Sequence, residues 1–354
     1  MLAALMRGYG GAETLSVEQV RDPAPGPGEL VVRVEAAALN HLDIDLRAGT
    51  SRIPLELPHI LGCEGVGRVE YVPPGSRPKV SVGDRVMMLE ELPCGHCREC
   101  VTGRQNLCDA ATWLGVSRPG CYAQLIAVPS EGVLVLPEER DAFQWAAVQA
   151  AFGTAWHMLI TRGAVVAGER VLINGAAGGI GSAAIQVAVL AGAEVIATAG
   201  SDEKLTQARQ LGASWAINYA ADGWDAEVLE ATDGQGVDLV YDHVGGDVLV
   251  TSLRTLRPGG RVATCGAHAG ETVPLDVIEL FRAERTIIGS RSFTARELAT
   301  VVDLVAAGKL EPVIDSVLPL TQVGAAHQRM ESRMHFGKIV LDLVASGSER
   351  NHHV

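Results

Sequence analysis

The stretch that most narrows the choice of fold is Arg170 to Gly200, RVLINGAAGGIGSAAIQVAVLAGAEVIATAG. Val171-Leu172-Ile173 is short and apolar, which predicts a buried strand, and Gly175 to Gly178 predicts a tight turn. Gly179 to Ala191 then carries Ile180, Ala183, Ala184, Val187 and Ala188 at helical spacing, and Glu194 to Ala199 reads as a second strand. The turn spells Ala176-Ala177-Gly178-Gly179-Ile180-Gly181, the dinucleotide fingerprint with alanine for its first glycine. At Gly178 the backbone can approach a pyrophosphate on the positive end of the helix, and at Gly181 the helix can press against the strand. Strand, turn, helix and strand at these spacings predict half of a dinucleotide-binding fold.

The end of the second strand bears on which nucleotide. A site for NAD ordinarily places a carboxylate on the ribose about 20 residues beyond the turn. Here the chain reads Ala199-Gly200-Ser201, with no acid to repel a 2′-phosphate, and Ser201 and Lys204 can supply a hydrogen bond and a charge. NADPH is therefore favoured over NADH, although Asp202 and Glu203 lie beside Lys204 and a solvated lysine on a first helical turn looks the same. The candidate cofactor set comprises Ala177, Gly178, Gly179, Ile180 and Gly181 in the turn, and the family resemblance given below adds Thr154 beside the nicotinamide and Tyr219 at the adenosine end. His243-Val244 and Cys265-Gly266-Ala267 join it, because ligands collect beyond the carboxyl ends of parallel strands.

Strands alternate with helices through the middle of the chain, with further strands expected at Trp215 to Tyr219, Val237 to Asp242, Arg261 to Cys265 and Thr286 to Gly289. That alternation predicts a doubly wound parallel sheet over 149–292. Residues 1–148 look mostly β, with strand-like Leu30 to Val34 and Arg85 to Met88 separated by Pro25-Gly26-Pro27-Gly28 and Pro73-Pro74-Gly75 turns. After 292 come a helix at Thr294 to Ala307, an extended Val313 to Leu318, a helix near Gly324 to Glu331 and a last strand Lys338 to Leu343. A loose tail with His352-His353 ends the chain. The 354 residues suffice for two cores. A formal charge of −13 argues against nucleic acid and anionic membrane as partners. The apolar opening Met1 to Met6 is too short for a signal peptide, and the best apolar run, Ala183 to Ala199, is broken by Gln186 and Glu194. A cytoplasmic protein acting on a small molecule is expected.

Between Pro93 and Asp109 the sequence PCGHCRECVTGRQNLCD places Cys94, Cys97, Cys100 and Cys108 close enough to close a tetrahedral zinc site. An iron–sulfur cluster or free thiols are the competing readings, and the spacing differs from the ferredoxin patterns. A four-sulfur zinc has no open position, so its role is structural.

In these motifs the chain resembles the medium-chain dehydrogenase/reductases, the superfamily of zinc-binding alcohol dehydrogenases and quinone oxidoreductases. The resemblance spans essentially the whole chain. It is carried by Ala37-Ala38-Leu39-Asn40-His41-Leu42-Asp43, Leu61-Gly62-Cys63-Glu64-Gly65-Val66-Gly67, the four-cysteine lobe, Gly153-Thr154-Ala155-Trp156, the AAGGIG turn and Gly337-Lys338-Ile339-Val340. It implies an α/β protein with a GroES-like β-rich catalytic domain at 1–148, a Rossmann cofactor domain at 149–292 and a return to the catalytic domain at 293–354. It further implies an active site in the cleft between the two domains, a homodimer or homotetramer, and a place for Lys338 in the cofactor set.

The departures from that pattern decide the expected chemistry. Zinc alcohol dehydrogenases of the family hold a catalytic metal through residues at the positions of Asn40, Cys63 and a third near Ala150. Two of those three ligands are missing here. The zinc-free quinone and enoyl reductases of the family carry asparagine at position 40. The resemblance thus implies NADPH-dependent hydride transfer to an activated C=C bond or a quinone, with Asn40 holding the substrate carbonyl and water, His41 or His157 returning the proton. Cys63 remains a possible catalytic or metal-binding thiol, and more often such a residue is a small buried one. Asp43 and Glu64 are expected to support the site's geometry. A zinc-dependent alcohol or aldehyde dehydrogenase with a rebuilt site, and a catalytically inactive nucleotide-binding protein, are the alternatives.

Overall fold

The computed structural model describes residues 1–74 and 80–345; Gly75 of the expected Pro73-Pro74-Gly75 turn and the tail with His352-His353 lie outside them. The chain divides into two compact units, one of Met1–Ala150 joined by the chain from Ile314 onward, the other of Ala151–Val313. The return expected at 293 falls instead at 314. Residues 293–313 stay with the second unit because Phe293 packs on Gly153, and Glu297, near the start of the helix Ala295–Ala306, holds His157 Nδ1 at 2.9 Å and accepts from Thr161 Oγ1.

The second unit is built on a six-stranded sheet in the order Trp215–Asn218, Glu194–Ala199, Arg170–Ile173, Val237–Asp242, Leu256–Thr264 and Thr286–Gly289. Every pairing in it is parallel. In chain order the strands run 3-2-1-4-5-6, the Rossmann arrangement, with the direction of winding reversing between Arg170–Ile173 and Val237–Asp242. One apolar layer, formed by Leu172, Ile196, Val228, Val240 and Val262, fixes the sheet under its helices. Each such side chain removed from water contributes about 1.5–3 kcal/mol.

In the first unit the strand Glu29–Ala38 buries Leu30, Val32, Val34 and Ala36, the alternation of a half-covered sheet. It pairs with Glu64–Tyr71 on one side and with Lys338–Asp342 on the other, all antiparallel. Ala38 faces Glu64 in the first pairing and Val340 in the second. This register sets Glu64 and Lys338, far apart in sequence, at the end of Glu29–Ala38, where Leu39 and Asn40 lead into the helix His41–Ala48. That helix begins with Asp43 accepting the Asn40 N–H at 2.8 Å and closes at Gly49, whose φ of 75° is left-handed. Among the described residues, no helix is long and apolar enough to cross a membrane.

Candidate functional site

The glycine-rich turn of the second unit connects Arg170–Ile173 to the helix Gly179–Leu190. Gly178 caps that helix without a side chain, and a Cβ built on it would meet only Gly175 O at 3.8 Å and His243 Nε2 at 4.0 Å. The space above Gly178 is open for a ligand. Gly181 is different, since a Cβ there would collide with the Gly175 carbonyl. The two glycines thus serve the ligand and the helix–strand contact respectively, which is what a pyrophosphate cradle requires.

Other expected cofactor residues converge on the same strand ends. The His243 ring lies against Gly175, and a Cβ on Gly266 would meet the His243 carbonyl. Ala267 Cα lies 2.8 Å from where a Gly245 Cβ would be, and Ala269 N–H donates to Val244 O at 2.8 Å. Cys265 is a neutral thiol pushed up to about 12 by burial and the Asp242 charge. At the far edge, the Tyr219 hydroxyl sits over Gly200, and Ser201 begins the helix Asp202–Gln210 without spending its hydroxyl on a cap, with Lys204 half-buried on the first turn. Thr154 is half-buried in the helical turn Thr154–Trp156, which packs on Gly179–Leu190.

Beneath the turn lies a polar knot that sequence reasoning missed. Fully buried Asn174 donates to Asp242 at 3.1 Å and to Ser252 at 2.8 Å and accepts from Thr198 at 3.4 Å. Asp242 also accepts the Gly245 N–H at 3.0 Å, and burial raises its carboxyl above the usual range. An asparagine directly after an apolar strand was the available signal.

In the first unit the positions equivalent to the family's metal ligands meet around Glu64. Glu64 Oε1 accepts from Asn40 Nδ2 at 3.1 Å and from the Lys338 ammonium, and Oε2 accepts the Ala150 N–H at 2.8 Å. Lys338 Nζ donates also to Leu39 O and Asn40 Oδ1, both at 2.7 Å. Its three protons are thereby used, and Lys338, expected in the cofactor set, is the cation at the centre of this cluster. Asn40 Nδ2 gives its other proton to Cys63 Sγ at 3.2 Å. Burial, with the charges of Asp43, Glu90 and Glu64, pushes the Cys63 thiol far up, so in the absence of a bound cation it is neutral. An amide, a neutral thiol, a backbone N–H and an ammonium do not make the three-donor set of a catalytic zinc.

Asp43 braces the cluster from behind. Completely buried, it accepts the Asn40 N–H, the Gly62 N–H at 3.1 Å and the Tyr122 hydroxyl at 3.0 Å, and burial pushes it up to about 6 against these bonds and the Lys338 charge. Tyr122 was not singled out in the sequence. His41 is half-buried and its imidazole is held below its ordinary value, by burial first. His157, expected as a proton source, belongs to the second unit, is buried, and has Nδ1 within 3.0 Å of both Glu297 oxygens, which ties two helices together.

The four knot cysteines bring their sulfurs within 4.8 Å of one another, with separations of 3.9 Å for Cys94–Cys100, 3.4 Å for Cys97–Cys100 and 3.8 Å for Cys97–Cys108. A tetrahedron with Zn–S bonds of about 2.3 Å has edges of about 3.8 Å. The sulfurs are therefore spaced to hold a single ion and leave no room for an iron–sulfur cluster. Backbone N–H groups of His96 and Cys97 lower the Cys94 thiol, while burial raises that of Cys100. His96 is exposed, with Nδ1 2.8 Å from Cys94 O.

The comparisons with known proteins agree with this anatomy. Residues 26–138 match the alcohol dehydrogenase GroES-like domain and residues 179–307 the zinc-binding dehydrogenase domain. A 2-haloacrylate reductase of Burkholderia sp is 33% identical over 96% of this chain and 98% of its own length. A quinone oxidoreductase of Pseudomonas aeruginosa is 32% identical over 94% and 97%. Among solved structures, an NAD-dependent alcohol dehydrogenase superposes with a TM-score of 0.93 at 40% identity, covering 97% of this chain and 100% of that one. A thermostable alcohol dehydrogenase from Pyrobaculum aerophilum gives 0.88 at 32% identity, covering 97% and 99%. With a glycine-rich cradle, a four-cysteine knot and matches along its whole length, this chain belongs to the medium-chain dehydrogenase/reductase superfamily and is a nicotinamide-dependent oxidoreductase.

Proposed function

We propose that this protein uses NADPH to reduce an activated C=C bond, as in an α,β-unsaturated carbonyl, or a quinone, without a catalytic metal. The observation that carries the reading is the buried Lys338 ammonium among Asn40, Glu64 and Leu39, where a metal-dependent relative would need a vacant set of three donors. Hydride addition to a simple carbonyl builds charge on one oxygen and calls for a strong electrophile. A conjugated acceptor spreads that charge into an enolate, for which a hydrogen-bond donor suffices.

Asn40 is the donor. Its proton toward Cys63 Sγ is the one free to be redirected to a substrate oxygen, because a thiol is a weak acceptor and the carboxylate of Glu64 a strong one. Bound NADPH supplies the hydride, and the turn from Ala177 to Gly181 would hold its pyrophosphate. Ser201 and Lys204 favour its 2′-phosphate. Water or His41 returns the proton. The 2-haloacrylate reductase and the quinone oxidoreductase among the relatives support this class of acceptor. The relatives named alcohol dehydrogenase favour a second reading, zinc-dependent alcohol oxidation, against which the Asn40–Cys63–Glu64–Lys338 cluster stands.

The testing experiment follows NADPH and NADH consumption with 2-cyclohexenone, 2-chloroacrylate and 1,4-benzoquinone, and NADP⁺ or NAD⁺ reduction with primary alcohols. Turnover of at least one conjugated acceptor, preferring NADPH and reduced about tenfold in that preference by Lys204→Ala, is expected. Alcohol turnover abolished by a chelator overturns the reading. A second copy of the chain is part of the proposal. Its surface would be the exposed Val277, Ile278 and Phe281 beside the edge strand Thr286–Gly289, and a Phe281→Asp variant that sediments like the wild type would remove it.

A further inference from the structure

We propose that Lys338 is a positioning and polarising residue that acts through Asn40. Its ammonium pulls electron density through the Asn40 carboxamide and so strengthens the N–H offered to the developing enolate oxygen. The inference rests on the reading of Asn40 as the substrate donor and assigns the source of that donor's strength.

The chemistry of the partners fixes the orientation of the amide. An ammonium only donates, so the Asn40 atom 2.7 Å from Lys338 Nζ is the carbonyl oxygen, and Nδ2 is the atom turned to Cys63 and Glu64. Lys338 is 5% exposed and Glu64 1%, so the ammonium acts in a medium where charge is poorly screened. Leu39 O anchors the lysine from the strand end at 2.7 Å, and Glu64 is itself held by the Ala150 N–H at 2.8 Å. A hydrogen bond from a cation to an amide oxygen makes the amide N–H a stronger donor, as in any polarised chain of hydrogen bonds. The ammonium therefore reaches the substrate through one carboxamide, whereas a metal would touch it directly. The other charges around it are Glu64 and Asp43, and Asp43 keeps Asn40 in place through its backbone N–H at 2.8 Å. Cys63 and Tyr122, both neutral, complete the surroundings.

The test compares Asn40→Ala, Lys338→Met and the double variant Glu64→Gln/Lys338→Met, which removes both charges and so keeps the fold if the single change does not. All are assayed as full chains with NADPH and 2-cyclohexenone or 1,4-benzoquinone, whichever the wild type reduces. The expected result is a loss of kcat of about tenfold to a hundredfold in the lysine variants, with KM within about threefold, because the bond gains strength only as charge develops. In protein labelled with ¹⁵N-asparagine, the Asn40 side-chain N–H resonances move upfield when Lys338 is replaced. Asn40→Ala impairing turnover while both lysine variants retain kcat overturns the relay and leaves the Asn40 reading standing. Asn40→Ala with unchanged kcat overturns the Asn40 reading and with it the function of the relay, even if the resonances shift.

Discussion

Replacing Lys338 by methionine should destabilise the first unit by about 3–5 kcal/mol, the cost of breaking a buried ion pair by deleting one partner. The side chains of Lys338 and Glu64 are 6% and 1% exposed, so little solvent would reach the carboxylate left behind. Glu64 keeps two donors, Asn40 Nδ2 and the Ala150 N–H, which pulls the value toward the lower end. Leu39 O and Asn40 Oδ1 lose theirs, which adds about 1 kcal/mol each. At roughly 2–4 °C per kcal/mol for a unit of this size, the melting temperature should fall by about 6–20 °C. Glu64→Gln/Lys338→Met leaves no unpaired charge and should recover about 2 kcal/mol of the loss. The assay is denaturant unfolding, with hydrogen exchange in Glu64–Tyr71 and Lys338–Asp342 to localise the change. A single variant within about 1 kcal/mol of wild type, or a double variant no better than the single, would refute the description of Lys338 as the cation of a buried cluster.

The cradle makes a paired prediction. Gly178→Ala, whose new methyl meets nothing closer than 3.8 Å, should unfold like wild type yet lose about tenfold or more in NADPH affinity by calorimetry, whereas Gly181→Ala should lose stability as well. Glu297 gives a pH signature. Burial would raise its carboxyl, but hydrogen bonds from His157, Thr161 and Thr294 outweigh burial and bring it down to about 2 from 4.5. A depressed carboxyl contributes stability above its ordinary value that is lost as pH falls through the folded one. About 3 kcal/mol should therefore disappear between pH 4.5 and 2 in unfolding curves of wild type but not of Glu297→Gln. Asp43 has the opposite sign, raised from 3.8 to about 6, so its contribution is full below 3.8 and fades as pH rises through 6. Tyr122→Phe removes a donor to the ionised form and should move the Asp43 titration, read by ¹³C NMR, up by about 1–2 units. A titration unchanged from that of wild type would contradict the Tyr122–Asp43 bond.

Local chemistry was legible in the sequence and long-range register was not. The strands Glu194–Ala199 and Val237–Asp242 have their expected bounds, because apolar runs cut by glycine and turn residues carry their own limits. The glycine-rich turn and the cysteine knot were readable for the same reason, since each function is confined to about a dozen neighbouring residues. The cluster around Lys338 was not legible because its partners Asn40 and Glu64 lie 298 and 274 positions away. Only the pairing of Lys338–Asp342 with Glu29–Ala38 brings them together. Tyr122 escaped notice on the same ground, being tied to Asp43 across 79 positions with no motif to announce it. The tie between His157, expected to return a proton, and Glu297, 140 residues on, was equally out of reach, and it moves the expected boundary from 293 to 314.

The most direct measurement is zinc per subunit by elemental analysis on protein purified without added metal, taken together with NADPH turnover of a conjugated acceptor, for wild type and Cys94→Ser. The account predicts one zinc per wild-type chain, lost in the variant, with wild-type turnover unaffected by a chelator too weak to strip the four-sulfur site. Two zinc ions per chain, one surviving Cys94→Ser and needed for turnover, would contradict it.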